Sequence, residues 1–250
     1  MSDNELNQNE HEKYCVERIR NNLTPDTFFG FSIREIQDLE DLLDKVSPNK
    51  NSNDFPDFLF PNGLIEHFMI TSSKENKKGA AHKIAVSKFQ KQNEKAINLL
   101  SDEKPVYCNS LSYENHSYEN LRSSFIKNWN KHIESLNKYR GDLKKCIFLV
   151  EYVDTYALSM LEDKWESIND FSVGDYKKPE YIHDYRLSRD KKMLEWLLEF
   201  SERVDCVIFV TEEFVELINL KGIQGLLSLL PYDYVIGPNM TRMTDRGTLL

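Results

Sequence analysis

Residues Phe55–His82 read FPDFLFPNGLIEHFMITSSKENKKGAAH. Two apolar runs, Phe55–Phe60 and Leu64–Thr71, flank Pro61-Asn62-Gly63. Proline presets φ for a turn, and Asn and Gly tolerate positive φ, so the spacing predicts a β-hairpin. Asp57 lies on the first strand, and Glu66 sits in the middle of the second, inside an otherwise apolar run. A carboxylate in a strand core is costly unless it is paired, hydrogen-bonded or bound to a metal. Side chains alternate faces along a strand. Glu66, Phe68 and Ile70 therefore share one face, and Ile65, His67, Met69 and Thr71 the other. Counting outward from Asn62, Asp57 and Glu66 fall within a residue or two of being opposite. Close like charges repel, so such a pair is stable only when a cation bridges it or one group takes a proton. Mg²⁺ and Mn²⁺ prefer oxygen donors of this kind.

On the N-terminal side of the hairpin, helical spacing runs from Glu10 to Leu23 and is stopped by Pro25. Ser32 with Glu35 forms a capping box for a second helix, striped by Ile33, Ile36, Leu39, Leu42, Leu43 and Val46. Ser47–Asn53, SPNKNSN, reads as a loop, so no strand is legible before Asp57. After the hairpin, Gly79–Leu100 is a Lys-rich helix, Val106–Cys108 a short strand, and Tyr118–Tyr139 a helix striped by Leu121, Phe125, Trp129, Ile133 and Leu136. KCIFLVEY (Lys145–Tyr152) and CVIFVT (Cys206–Thr211) read as buried strands. Asp190–Val204 and Glu212–Leu220 read as helices, and Tyr232–Gly237 as a last strand. Asp163–Asp184 is a polar excursion with scattered aromatics. The order predicts one α/β domain over 32–250, a central mixed sheet flanked by helices on both faces, with a helical N-terminal arm over 1–31.

Composition narrows the class. Charged residues make up 29% and the net charge is −9, which argues against binding nucleic acid by bulk charge alone. The charge is uneven: Lys74–Lys95 holds seven Lys against two Glu, a solvated helix face or a basic ridge beside the hairpin. No apolar run is long enough to span a bilayer, and the polar start MSDNELNQNEHEK is unlike a secretory signal. Cys15, Cys108, Cys146 and Cys206 lie far apart without CxxC spacing, so neither a disulfide framework nor a cysteine zinc site is expected, and a reducing cytoplasm is.

Weaker constellations accompany the hairpin. Glu151 and Asp154 close the strand CIFLV at the end where α/β folds place ligands. Thr71-Ser72-Ser73 and Lys77-Lys78-Gly79 precede a helix start, where capping is the expected role. His67 and His82 are candidates to approach across the strand–helix junction, and His11-Glu12 with Cys15 has helical spacing. No Walker loop, GxGxxG or GxSxG is present.

Pro56-Asp57, then eight residues, then Glu66-His67-Phe68 resembles the PD-(D/E)XK nuclease superfamily, over roughly residues 32 to 152. The resemblance implies a restriction-endonuclease-like fold with a core of helix, three or more strands, helix and strand. It implies that Asp57 and Glu66 hold Mg²⁺ or Mn²⁺, which activates a water against a DNA phosphodiester. The motif's Lys falls at position 68, where this chain has Phe68. The family tolerates a Lys arriving from elsewhere, and Lys74, Lys77 and Lys78 follow the strand at once. The rival reading is a non-catalytic interaction module, with an acidic surface and tyrosines suited to a protein partner or a homodimer.

Overall fold

The computed structural model describes residues 14–49, 55–76, 79–99, 106–112, 116–141, 145–162, 180–230, 234–239 and 242–248. A helix over 14–21 (α1) leads to β1 (Phe28–Phe29), α2 (Ile33–Leu43), β2 (Ser47–Pro48), β3 (Phe58–Phe60) and β4 (Gly63–Ile70). β5 (Glu75–Asn76) and β6 (Gly79–Ala80) precede α3 (Ala81–Ile97), β7 (Val106–Ser112) and α4 (Tyr118–Lys138). Then come β8 (Lys145–Tyr152), β9 (Leu158–Glu162), β10 (Tyr181–Ile182), α5 (Lys191–Leu198), β11 (Cys206–Val210) and β12 (Val215–Asn219). α6 (Ile223–Leu229), β13 (Tyr234–Pro238) and β14 (Arg242–Thr248) close the chain.

Seven strands form the central mixed sheet, in the order β1-β12-β11-β8-β4-β3-β2. β4, β8 and β11 run parallel, because the connections between them pass through α4 and α5. β3 and β12 are antiparallel to their inner neighbours. Strands at the centre of such a sheet are covered on both faces and read as continuous apolar runs. β11 accordingly is buried at every residue, and β8 over Cys146–Val150. One face packs α4, α5 and α6 through Phe68, Phe125, Trp129, Phe148, Leu194 and Ile223. The other packs α1 and α2 through Val16, Ile19, Leu39, Leu43, Ile65 and Leu149. The expected α/β architecture, a mixed sheet between helices, is the one observed. Among the described residues no helix is long and apolar enough to cross a membrane.

Several local expectations change. The loop over 47–53 contains a short strand: Ser47–Pro48 pairs antiparallel with β3, so a strand does precede Asp57. Proline cannot donate to a ladder, which is tolerated at a sheet edge and hides the strand from composition. The stretch 212–220 is not helical. Val215–Asn219 is β12, fully buried between β11 and β1. Glu and Leu give that stretch a helical propensity, but propensity is a weak prior that tertiary pairing overrides. Its Glu216 accepts bonds from the Ser188 N–H (3.2 Å) and hydroxyl (2.6 Å), which is how the strand tolerates a carboxylate. The N-terminal residues read as an arm are packed into the domain: Cys15, Val16 and Ile19 are buried, and Phe28–Phe29 joins the sheet. Most of the 163–184 excursion lies outside the described residues.

Trp129 is fully buried and touches Phe68, Phe125, Phe148, Trp196 and Phe200. Its ring nitrogen has no hydrogen-bond partner among the described residues. Trp129→Ala is expected to cost about 3–5 kcal/mol in urea unfolding. Trp129→Phe is expected to cost much less, because it keeps the apolar contacts and abandons no hydrogen bond. Equal losses for the two variants would contradict this packing.

Candidate functional site

The hairpin turn is tighter than its composition suggests: Phe60 pairs with Gly63, leaving Pro61 and Asn62 as the loop. Asn62 adopts positive φ (66°), a conformation Asn tolerates better than most side chains. This fixes the register, with Phe58 opposite Ile65. Asp57 falls one step beyond that pair, beside Glu66, and the two residues are tied reciprocally. The Asp57 N–H donates to Glu66 Oε2 (3.2 Å), and the His67 N–H donates to Asp57 Oδ2 (2.7 Å). Asp57 and Glu66 are thus neighbours across the hairpin, each carboxylate held by a backbone N–H of the facing strand.

A third residue completes the group. His132 Nδ1 of α4 lies 2.6 Å from Glu66 Oε1, within hydrogen-bond distance. Its ring stacks on Phe68, with centroids 4.8 Å apart. Burial, with Lys131 nearby, pushes the imidazole down to about 4, so it donates as a neutral ring at neutral pH. Asp57 moves the other way. Burial, and then the repulsion of Glu66, push it up to about 6. The site is thus two crowded carboxylates held by backbone N–H groups and a neutral imidazole. Below about pH 6 a proton on Asp57 relieves the repulsion that a bridging cation would otherwise relieve.

His132 was not singled out from the sequence, although a signal existed. It lies three residues after Trp129 and seven after Phe125, so it belongs to the apolar stripe of α4. A polar residue on a buried stripe needs a partner, and here the partner is Glu66. Phe68, at the position of the motif's Lys, is 5% exposed and packed among aromatic rings. Lys74 is exposed beyond the end of β4. Ile70 already lies about 13 Å along the strand from Glu66, so the chain carries Lys74 away from the carboxylates. Lys77 and Lys78 lie outside the described residues.

The other candidates go elsewhere. Glu151 lies on the opposite face of the sheet, within 3.1 Å of His67 Nε2. Asp154 binds the end of β4: its Oδ2 accepts from the Thr71 hydroxyl and from the Ser72 N–H (2.8 Å). Ser72 Oγ also meets His116 Nδ1 (2.7 Å) and Tyr152 OH (2.8 Å). Thr71 and Ser72 thus anchor a buried loop rather than cap α3. Ser72 is completely buried, so this Ser–His contact offers no nucleophile to a substrate. A cleft of about 290 Å³, lined by Tyr118, Arg189, Lys191 and Tyr234 among others, is likewise remote. Tyr118 and His132 are about 21 Å apart along α4.

No protein-family model, curated protein or solved structure matches the chain.

The two shifted groups act oppositely on stability. The folded chain holds the Asp57 proton up to about 6, against an ordinary value of 3.8, so this contribution is full at low pH and is lost as pH rises through 6. His132, held at about 4 against an ordinary 6.5, contributes stability that grows with pH across the same window. The slopes offset each other in the wild type, and the difference from Asp57→Asn isolates the carboxylate. Asparagine keeps an acceptor for the His67 N–H and removes the charge. In metal-free buffer the variant is expected to gain on wild type between pH 4 and 7, reaching about 2 kcal/mol. A pH-independent difference in urea midpoints would contradict the crowded pair.

Proposed function

We propose that the chain is a divalent-metal-dependent nuclease acting on DNA, or a catalytically degenerate relative of one. The observation that carries this reading is the convergence of Asp57 and Glu66, joined by reciprocal hydrogen bonds at a buried point of the sheet. The donor set suits a hard cation. Both residues offer oxygens only, and Mg²⁺ keeps several waters while needing just one or two carboxylates. A bound Mg²⁺ or Mn²⁺ supplies an acidified water and charge neutralisation at a phosphodiester. His132 would orient Glu66, and the His67 N–H would hold Asp57. With β5, β6, α3 and β7 set aside as an insertion between β4 and α4, the elements α2, β2, β3, β4, α4 and β8 follow the helix, three strands, helix and strand that the sequence resemblance implies, which supports the reading. Exposed Lys74, Lys88, Lys91 and Lys95 offer charge for a phosphate backbone.

One observation favours the second reading, a non-catalytic interaction module. Phe68 leaves the strand without the ammonium group that the motif uses, and His132 beside it is neutral.

Calorimetric titration of Mn²⁺ and a DNA-cleavage assay on the same variants separate these readings. Wild type is expected to bind Mn²⁺, and the Asp57→Ala/Glu66→Ala double variant to lose that binding. Glu66→Gln is expected to reduce metal-dependent cleavage to background, and cleavage surviving in that variant would sink the nuclease assignment. Mn²⁺ binding without cleavage would identify the degenerate form. His132→Ala removes a group that orients a ligand, and a 10–100-fold weaker Mn²⁺ affinity is expected.

A further inference from the structure

The strand that sends Glu66 to one face of the sheet sends His67 to the other. There His67 Nε2 lies 3.1 Å from Glu151 Oε2 of β8, and Cys15 Sγ of α1 lies 3.8 Å from the same oxygen. All three donor atoms fall within 4.8 Å of one another. The parallel register explains the meeting. His67 pairs with Leu149 and Met69 with Glu151, so His67 and Glu151 are diagonal neighbours on one face. α1 lies across that face, and Cys15 is 3% exposed. The surroundings are apolar, with Val16, Ile19, Ile65, Ile147 and Leu149 in the same layer.

We propose that Cys15, His67 and Glu151 form a three-ligand site for a zinc-class transition-metal ion, separate from the Asp57/Glu66 pair. Three chemically different donors meet in a nearly dry layer, where a shared ion satisfies all of them at once. A thiolate, an imidazole and a carboxylate together are the donors of borderline ions such as Zn²⁺ or Co²⁺, whereas Mg²⁺ takes oxygen alone. The spacing fits. Metal–ligand bonds of about 2.0–2.3 Å set neighbouring donors of a tetrahedron roughly 3.3–3.7 Å apart. The contacts at 3.1 and 3.8 Å are near that range, and the remaining pair closes with about 1 Å of side-chain movement. Three protein ligands leave the fourth position to water or another small ligand. The Glu151 side chain is 16% exposed, which gives the ion a way in. The ion would fasten α1 to β4 and β8, tying the N-terminal segment to the middle of the sheet. Cys146 and Cys206 have no comparable role. Burial pushes both thiols up, Cys206 to about 12, and neither belongs to a group of three metal-binding side chains among the described residues.

The test is titration of the EDTA-stripped full chain with Co²⁺, followed by optical absorption, with Zn²⁺ competition and a thermal melt. Wild type is expected to take up one Co²⁺ with a thiolate-to-metal charge-transfer band, displaced by Zn²⁺, and to melt higher with Zn²⁺. Cys15→Ser is expected to lose the band and the Zn²⁺-dependent rise in Tm. Glu151→Gln, which preserves side-chain shape, is expected to weaken Co²⁺ affinity at least tenfold, and it carries the test if the cysteine variant fails to fold. Asp57→Ala/Glu66→Ala is expected to keep the band, so this site stands or falls separately from the nuclease reading. Absence of the band in wild type overturns the proposal, as does its persistence in Cys15→Ser or an unchanged affinity in Glu151→Gln.

Discussion

The eight-residue parallel pairing of β4 with β8 is the constraint on which the rest of the structure depends. A strand in that position is largely covered on both sides, by α4 on one and by α1 with α2 on the other, with Met69 its one exposed residue. Consecutive residues must point to opposite faces, so the dipeptide Glu66-His67 delivers a polar group into each of two apolar layers. Each group needs its own partners, since an unsatisfied buried polar group costs of the order of a few kcal/mol. Glu66 finds the Asp57 N–H and His132, and His67 finds Glu151. Two polar clusters back to back across a single strand are therefore what the register makes of two adjacent letters of sequence.

The same constraint explains what was legible in the sequence. The hairpin register is set by a local turn, so counting from Asn62 was enough to bring Asp57 to Glu66. The capping box at Ser32 and Glu35 is also local, and it is formed, with the Ser32 N–H 2.8 Å from Glu35 Oε2. β8 and β11 announce themselves because a strand dry on both faces must be apolar throughout. His132 was missed for the opposite reason. Its partner is 66 residues away, and which residue of α4 meets Glu66 is decided by how the helix docks on the sheet. β12 and the Thr71–Ser72 loop were misread for the same cause. Their roles follow from neighbours, β11 and Asp154, that short-range pattern does not name.

Phe68 shows how packing and chemistry compete for one position. Its face of β4 lies in an aromatic part of the core, where Phe125, Trp129 and Phe148 each meet Phe68 edge to face. A lysine there would place its stem among these rings and its charge near Glu66. The phenylalanine instead supports the imidazole of His132 through a stacked contact, and the imidazole supports Glu66. The strand carries at this position an aromatic support for a neutral imidazole rather than a mobile charge. That favours holding a carboxylate in one orientation over moving protons at it.

The two ends of the central sheet bear on self-association. β1 and β2 are each two residues long, and β2 ends in a proline that has no N–H to offer. An incoming strand would find too short a ladder at either margin to register against. The central sheet thus offers, among the described residues, little backbone for sideways growth. Backbone pairing with a second copy would have to use the smaller sheets, where β13 and the seven-residue β7 and β14 stand at the margins.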